Sequence, residues 1–421
     1  MRRTLSLFLA LILIFSLAAC GKKNSDVEVV KEYESQEPED NAKGEQKIVL
    51  SSIETARDFK NGYSWVELSG SKSVYSLVDT KGNVIYTSPQ NTYPRNMSND
   101  ACFIIVGTEK DKYEYMIINK KGKIVASSAE GNFDKILASG DNLFLVYKYE
   151  GGIDSSRHLY GVVNEKGEFV NKLKECPFIE ELDLYSQSGV RDGAKYIGAK
   201  SFQLTGKWDY YRYHHVVYMS GCDTYFLNYE NPVEGIGDSL YIRNKNGIET
   251  ENGKNEYSSQ DYRNVVVGQN GKIEKTTSFD YIENGLLMTK DEEKKITSFT
   301  DPTTGKTSVF SKYYPIASFD PADNNLLIMI YGKDGNKYFT VLDKNCNILF
   351  EPVSGRNAYA GEGKVRLYTQ DGCSVLDYSG NVLINSGMYK QIDDFSNGVA
   401  WAKNLSDQYV LIDEKGNSVI S

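Results

Sequence analysis

Six oxygen-bearing side chains, Asp79, Asn119, Asn164, Asp343, Asp377 and Asp413, stand at the same point of a recurring phrase such as LVDTKGNVI (77–85) or LIDEKGNSV (411–419). Repeated acidic turns are one way to hold calcium. That ion takes about six to eight oxygens, however, and each phrase supplies a single carboxylate or amide without D-x-D-x-D spacing. The column reads instead as turn chemistry: the Asp or Asn oxygen accepts a backbone N–H two residues on, and a Gly at the fourth position takes a positive φ. The three histidines, His158, His214 and His215, form no H-E-x-x-H or His/Cys cluster, and the adjacent pair would point to opposite faces of a strand. Beyond Cys20 the five cysteines, Cys102, Cys176, Cys222, Cys346 and Cys373, are odd in number and irregularly spaced, which argues against a disulfide framework and leaves room for a single bridge. No metal and no cofactor is expected.

Nucleophilic and phosphate-binding signatures are missing: there is no Ser/His/Asp ordering, no G-x-S-x-G, no P-loop and no dinucleotide fingerprint opening a helix. Carboxylates are spread over the whole length, so a pair serving glycoside hydrolysis would have to be assembled by the fold. The one concentration of side chains suited to recognition is FQLTGKWDYYRYHHVVYMSGCDTYFLNY (202–229). Such rings stack on sugars or peptide groups at binding surfaces, and they also fill strand pairs between packed sheets. Trp208, Tyr210, Tyr211 and Tyr213 are the candidate binding residues. Read as one strand, the stretch puts Trp208, Tyr210, His214 and Tyr218 on one face and Tyr211, Tyr213 and His215 on the other, so that one set is turned outward.

The elements that would carry these groups are short. From Gln46 onward there is little 3.6-residue periodicity, while apolar or alternating runs recur between Gly, Asn and Asp, the pattern of many strands joined by tight turns. The fourth-position turn residues are Gly82, Gly122, Gly167, Gly271, Gly305, Cys346, Gly380 and Gly416, spaced 34 to 45 residues apart except for one gap of 104 that leaves room for a degenerate copy and an insertion. An earlier strand opens each unit after a polar turn, as in NGYSWVEL (61–68) and NGVAWAK (397–403). Three such strands and a short fourth are the content of one propeller blade. The expected fold is therefore all-β, a β-propeller of about seven or eight blades over residues 47–421, with a β-solenoid of stacked hairpin repeats as the alternative. DFKNG (58–62) and DFSNG (394–398) make the first and last units the best copies, whereas the terminal repeats of a solenoid are atypical. KIVLSS (47–52) is expected to complete the last blade and close the ring, removing an open sheet edge.

Ahead of the repeats, Arg2 and Arg3 precede an uncharged apolar run, Leu5 to Ala19, too short for the roughly 20 residues of a spanning helix. Residues 1–19 read as an export signal. Leu17-Ala18-Ala19-Cys20 resembles the lipobox of bacterial lipoproteins, which implies cleavage before Cys20 and a diacylglycerol thioether on it. Two acyl chains hold a protein on a bilayer without a spanning helix. Residues 20–46 are polar, charged and poor in aromatics, the composition of a disordered tether. The chain has 48 Lys and Arg against 57 Asp and Glu, and loss of the leader moves the balance from −9 to −11. An acidic surface argues against a nucleic-acid partner and against a polybasic membrane face.

The repeat resembles the bacterial WG-containing repeat family, whose unit runs Phe-x-x-Gly-Leu-Ala, then Trp-Gly-Tyr-Ile-Asp, then Lys-x-Gly-Lys. The last unit matches through Phe395, Gly398, Ala400, Ile412, Asp413, Lys415 and Gly416, and the first through Phe59, Gly62, Asp79, Lys81 and Gly82. The eponymous dipeptide departs from the pattern: its Trp position holds Tyr75, Tyr115, Tyr160, Phe339 and Tyr409, and only Gly161 keeps the Gly. The resemblance implies an all-β repeat module, often exported, and brings no catalytic residues. The expectation is a lipid-anchored protein on the extracytoplasmic face of the cell membrane, a non-catalytic binding or scaffolding module for an envelope protein or cell-wall polymer, with an enzyme acting on envelope glycans or peptides as the alternative.

Overall fold

The structure is a computed structural model. It describes residues 46–420 apart from 71–72, 96, 110–111, 152–155, 180, 183–193, 210–211, 229–232, 237–238, 244–247, 251–263, 268–272, 278–280, 284–285, 292–295, 302–303, 311–313, 317–320, 323–324, 333 and 344. The export signal, Cys20 and the tether up to residue 45 lie outside the described residues. Gln46, placed in the tether by its composition, already belongs to the fold: its carbonyl accepts the N–H of Val84 at 2.8 Å.

Nine small sheets, all antiparallel in their pairing, are formed among the described residues, and most run strand to neighbouring strand in chain order. Sheet 1 consists of Ile53–Ala56, Tyr63–Leu68, Tyr75–Asp79 and Val84–Thr87. Sheets 2 and 3 occupy 92–127 and 135–175, and sheets 6 and 7 occupy 281–310 and 314–354. Sheet 8 consists of Asn357–Gly361, Lys364–Thr369, Gly372–Asp377 and Val382–Ile384, and sheet 9 of Gln391–Ile392, Val399–Lys403 and Tyr409–Asp413. The count exceeds the seven or eight expected because each of the eight turn phrases belongs to its own sheet and the long gap holds one more, sheet 4.

That gap is irregular for a topological reason. Thr224–Asn228 of sheet 4 pairs with Ile248–Thr250, although Val233–Ile236 and Ser239–Arg243, the first two strands of sheet 5, come between them in sequence. The chain leaves sheet 4, begins sheet 5, returns, and then completes sheet 5. The aromatic stretch is also not one strand: Ser201–Asp209 and Arg212–Met219 run antiparallel, with Asp209 opposite Arg212.

Among the described residues, apolar clusters join neighbouring sheets from 1 to 4 and from 6 to 9, and a further cluster joins the two ends of the chain. Trp401 and Leu411 of sheet 9 are buried with Phe59, Val66 and Val78 of sheet 1. Trp65 does the same one step on, buried with Cys102, Ile104 and Ile118 of sheet 2. Each indole N–H reaches the next sheet, Trp65 Nε1 to the Arg95 carbonyl and Trp401 Nε1 to Ser64 Oγ, both at 2.9 Å. The equivalence closes the ring and sets the solenoid aside; the fold is an all-β propeller.

The turn phrases tie this ring together. In sheet 1 the Asp79 Oδ1 accepts the N–H of Lys81 and of Asn83, and Oδ2 accepts the Asn83 amide. The same set recurs at Asp343, Asp377 and Asp413. Both carboxylate oxygens are spent on the turn itself, which is why the column is structural. The fourth-position Gly is required twice over. At Gly122 φ is +79°, and a Cβ would stand 2.3 Å from the Ile85 carbonyl oxygen of the preceding sheet. Cys346 is the exception, at φ +60°, and its thiol fills the space against sheet 6, donating to the Phe299 carbonyl at 3.3 Å. Cys346 and the other four cysteines past Cys20 are free thiols.

KIVLSS does not complete the last sheet. Sheet 9 fills that place with its own residues, since Ser418 bridges to Ile412 and the Val419 N–H donates to Leu411. Lys47 instead bridges to Asn83, and the Ile48 N–H donates to the Gly82 carbonyl at 2.8 Å. Ile48 and Ile420 then meet over Gly82, so the segment reaches the seam through side chains and not as a shared strand.

Candidate functional site

Three two-residue turns meet at the seam: Asn61-Gly62 in sheet 1, Glu362-Gly363 in sheet 8 and Asn397-Gly398 in sheet 9. All six residues have positive φ, between 48° and 82°. Asn-Gly is favoured here because such turns match the twist of the strands they join. The turns lock to one another in sequence around the ring. The Gly62 N–H donates to Ser396 Oγ at 3.0 Å, and the N–H groups of Asn397 and Gly398 donate to the Glu362 carboxylate. Sheets 2 and 3 share the first of these bonds, from the Asn142 N–H to Ser98 Oγ.

Behind the turns lies a cleft of about 620 Å³. Its walls come from one repeat position on three consecutive sheets. Three residues before the first turn residue stand Tyr359 in sheet 8, Asp394 in sheet 9 and Asp58 in sheet 1. The next position carries Phe59 and Phe395 in sheets 1 and 9 but Ala360 in sheet 8, and the missing ring leaves space. Phe59 uses its own ring to stack on Trp401 at 5.7 Å.

Four carboxylates, of Asp58, Glu362, Asp393 and Asp394, face two cations, Lys60 and Arg366, in this cleft. Arg366 is buried and fully engaged: it pairs with Asp394, donates to the Ile392 carbonyl at 2.8 Å and lies 5.1 Å from the Tyr359 ring centroid. Lys60 is half exposed and 3.9 Å from Asp394. Asp58 accepts the backbone N–H of Asp394 at 3.1 Å. Asp393 is only 8% exposed and accepts the Gln391 amide at 2.6 Å, and no cation pairs with it among the described residues. Burial pushes its carboxyl up, with the Asp58 charge adding to that and the Gln391 hydrogen bond opposing it. Tyr359 is 39% exposed, and Tyr368 crosses it edge to face while donating to the Ile392 carbonyl at 3.0 Å. A concave site of aromatic rings with a few oriented acceptors is suited to holding a small ligand.

The residues singled out from sequence lie elsewhere. Trp208 and Tyr213 fall in the paired strands of sheet 4, but their side chains, and Tyr210 and Tyr211 entirely, lie outside the described residues. Other rings of that stretch turn inward: Phe202, Tyr218 and Tyr225 are fully buried against Tyr147 and Tyr160 of sheet 3. His158 bonds through Nδ1 to the Tyr147 hydroxyl at 2.8 Å. Among the described residues no three His, Cys, Asp or Glu side chains converge as metal ligands would, and no helix is long and apolar enough to cross a membrane. The cleft had a signal in the sequence. DFKNG and DFSNG place Asp58 and Asp394 at one repeat position, and YAGEG (359–363) is where the pattern breaks.

Residues 375–405 match the family described as WG containing repeat. No curated protein matches the chain. Among solved structures, the chain is similar to one titled as the eukaryotic initiation factor, at 11% identity over 89% of this chain and 93% of that one, with a TM-score of 0.44. It is also similar to the β-propeller domain of the Trilobed protease from Pyrococcus furiosus, at 10% identity over 88% and 97% of the two chains, with a TM-score of 0.32.

Proposed function

We propose that the protein is a lipid-anchored envelope module, held on the extracytoplasmic face of the cell membrane through Cys20, that binds an envelope protein or cell-wall polymer without transforming it. The observation that carries the binding reading is the seam cleft. Nearly every charged group in it is already held by a neighbour, and an open aromatic wall stands beside the acceptors that remain. Groups fixed in this way recognise a ligand without reorganising. The anchor is supported by Leu17 to Cys20 and by the polar tether that follows. Trp208, Tyr210, Tyr211 and Tyr213 are proposed as a second contact surface, from the density of rings in that stretch.

Two experiments test this. Cys20→Ala should move the protein from the membrane to the soluble fraction, and a variant that stays bound refutes the anchor. Retention of the purified domain on envelope extract should fall on Tyr359→Ala at the cleft, and on Tyr211→Ala/Tyr213→Ala or Trp208→Ala/Tyr210→Ala if that stretch contributes. Asp393 favours a second reading, an enzyme acting on envelope glycans or peptides, because a buried carboxyl pushed upward beside another carboxylate is the setting of a general acid. Release of fragments from envelope material by the parent protein, abolished in Asp393→Asn, would decide for the enzyme.

A further inference from the structure

We infer that the seam cleft takes a short oligosaccharide, with Tyr359 as its stacking surface and Asp58, Gln391 and Asp393 as acceptors for its hydroxyls, so that one ligand bridges the two ends of the chain. The inference rests on the binding reading above and specifies its ligand.

Size comes first. At about 620 Å³ the cleft lies within the range of small-ligand sites, roughly 300–1,000 Å³, and is a concavity where a protein partner would present a broad, flatter face. Charge then narrows the class. An anion has little to meet, because the Arg366 guanidinium is committed to Asp394 and to the Ile392 carbonyl. A cation would meet Lys60, half exposed in the cleft and 3.9 Å from Asp394, and Asp394 already has two cationic neighbours. A neutral ligand rich in hydroxyls fits what is left. Asp58 has one carboxylate oxygen bonded to the Asp394 N–H, and Asp393 has one bonded to Gln391, which leaves each with a second oxygen able to accept. A sugar hydroxyl donates and accepts at once, so it satisfies an acceptor without bringing charge into a buried place. The apolar C–H face of the same ring has Tyr359 to lie against, the one aromatic of the cleft that is more than a third exposed.

The walls add a consequence. Asp58 and Lys60 belong to sheet 1, whereas Tyr359, Asp393 and Gln391 belong to sheets 8 and 9, so the site is complete only while the ring is closed. A ligand that binds the closed ring and not the open one must stabilise closure.

Calorimetric titration and thermal unfolding of the full chain, with chitotriose, cellotriose and maltotriose as probes and trilysine as the cationic control, test both points. At least one trisaccharide should bind and raise the unfolding midpoint. Tyr359→Ala and Asp58→Asn should each weaken that binding about tenfold or more, the loss expected for an aromatic contact or a hydrogen bond to a charged group. Tyr359→Phe should keep it, and ligand-free midpoints near the parent's show that the variants fold. No shift with any trisaccharide overturns the inference, as does a shift that survives in Tyr359→Ala/Asp58→Asn. Binding of trilysine alone sinks the saccharide and leaves the binding reading standing. Trisaccharide binding without retention on envelope extract sinks the envelope role and leaves the site.

Discussion

At the seam, sheets 9 and 1 meet through side chains that repeat an interface found inside the ring, Trp401 against sheet 1 as Trp65 against sheet 2. Sheets 4 and 5 are joined differently, by a strand of sheet 4 that arrives only after two strands of sheet 5 have been laid down. The seam keeps the repeat and needs no shared strand; the sheet 4 and 5 junction gives up the repeat and is tied by chain crossing. Regularity at the two ends of the chain is thus a property of closure. Irregularity in the middle is a change of connectivity within the same architecture.

The largest test of that contrast is at the two tryptophans. Trp65→Ala and Trp401→Ala should each cost about 3–5 kcal/mol in denaturant unfolding, as expected for emptying a buried indole. A Trp401→Ala cost far below its counterpart would mean the seam is looser than an internal interface. Next comes the segment that crosses the seam. Removing 46–52 takes away the bonds of Gln46 and Ile48 to sheet 1 and the buried Ile48, a loss of about 2–4 kcal/mol, whereas removing 21–45 should leave the midpoint where it was. Equal midpoints for the two truncations would contradict the clamp.

A smaller effect separates the turn glycines. Gly122→Ala brings a Cβ to 2.3 Å from a backbone oxygen of sheet 1, while at Gly416 the nearest atoms are side-chain carbons of Ile384 at 3.5 Å. Both positions carry the cost of a positive φ, so Gly416→Ala should lose about 1 kcal/mol and Gly122→Ala clearly more. The smallest effect concerns pH. The Asn381 amide and nearby backbone N–H groups hold the Asp377 carboxyl below its usual range. Its contribution is therefore present above the unfolded-state value and is lost as pH falls through the lowered folded value. Asp377→Asn should flatten that part of the acid limb of the stability curve slightly and leave neutral-pH dependence unchanged.

Most of the architecture was legible in the sequence because its cause is local. An Asp whose two oxygens bind the next four residues, and a Gly that must take a positive φ, leave the same letters in every copy, and the phrase could be counted unit by unit. The strand exchange was not legible, since nothing in 224–250 states which sheet each strand will join. The place of KIVLSS is hidden for a similar reason: an edge strand's composition fits any open edge, and the edge of sheet 9 is occupied by 418–419. The cleft was half visible. Asp58 and Asp394 repeat in DFKNG and DFSNG, but Asp393, Arg366 and Tyr359 acquire their meaning only when sheets 8, 9 and 1 become neighbours.

Closure of the ring between the two ends of the chain is most directly tested by a double-mutant cycle on the bond from Trp401 Nε1 to Ser64 Oγ, 2.9 Å long and buried, between residues 337 apart in sequence. Trp401→Phe, Ser64→Ala and the double variant would be unfolded in denaturant under one set of conditions. Closure predicts a coupling energy of about 1 kcal/mol, the worth of a buried hydrogen bond between groups in contact. Strictly additive losses would contradict it, because residues on opposite ends of an open stack have no means of sensing each other.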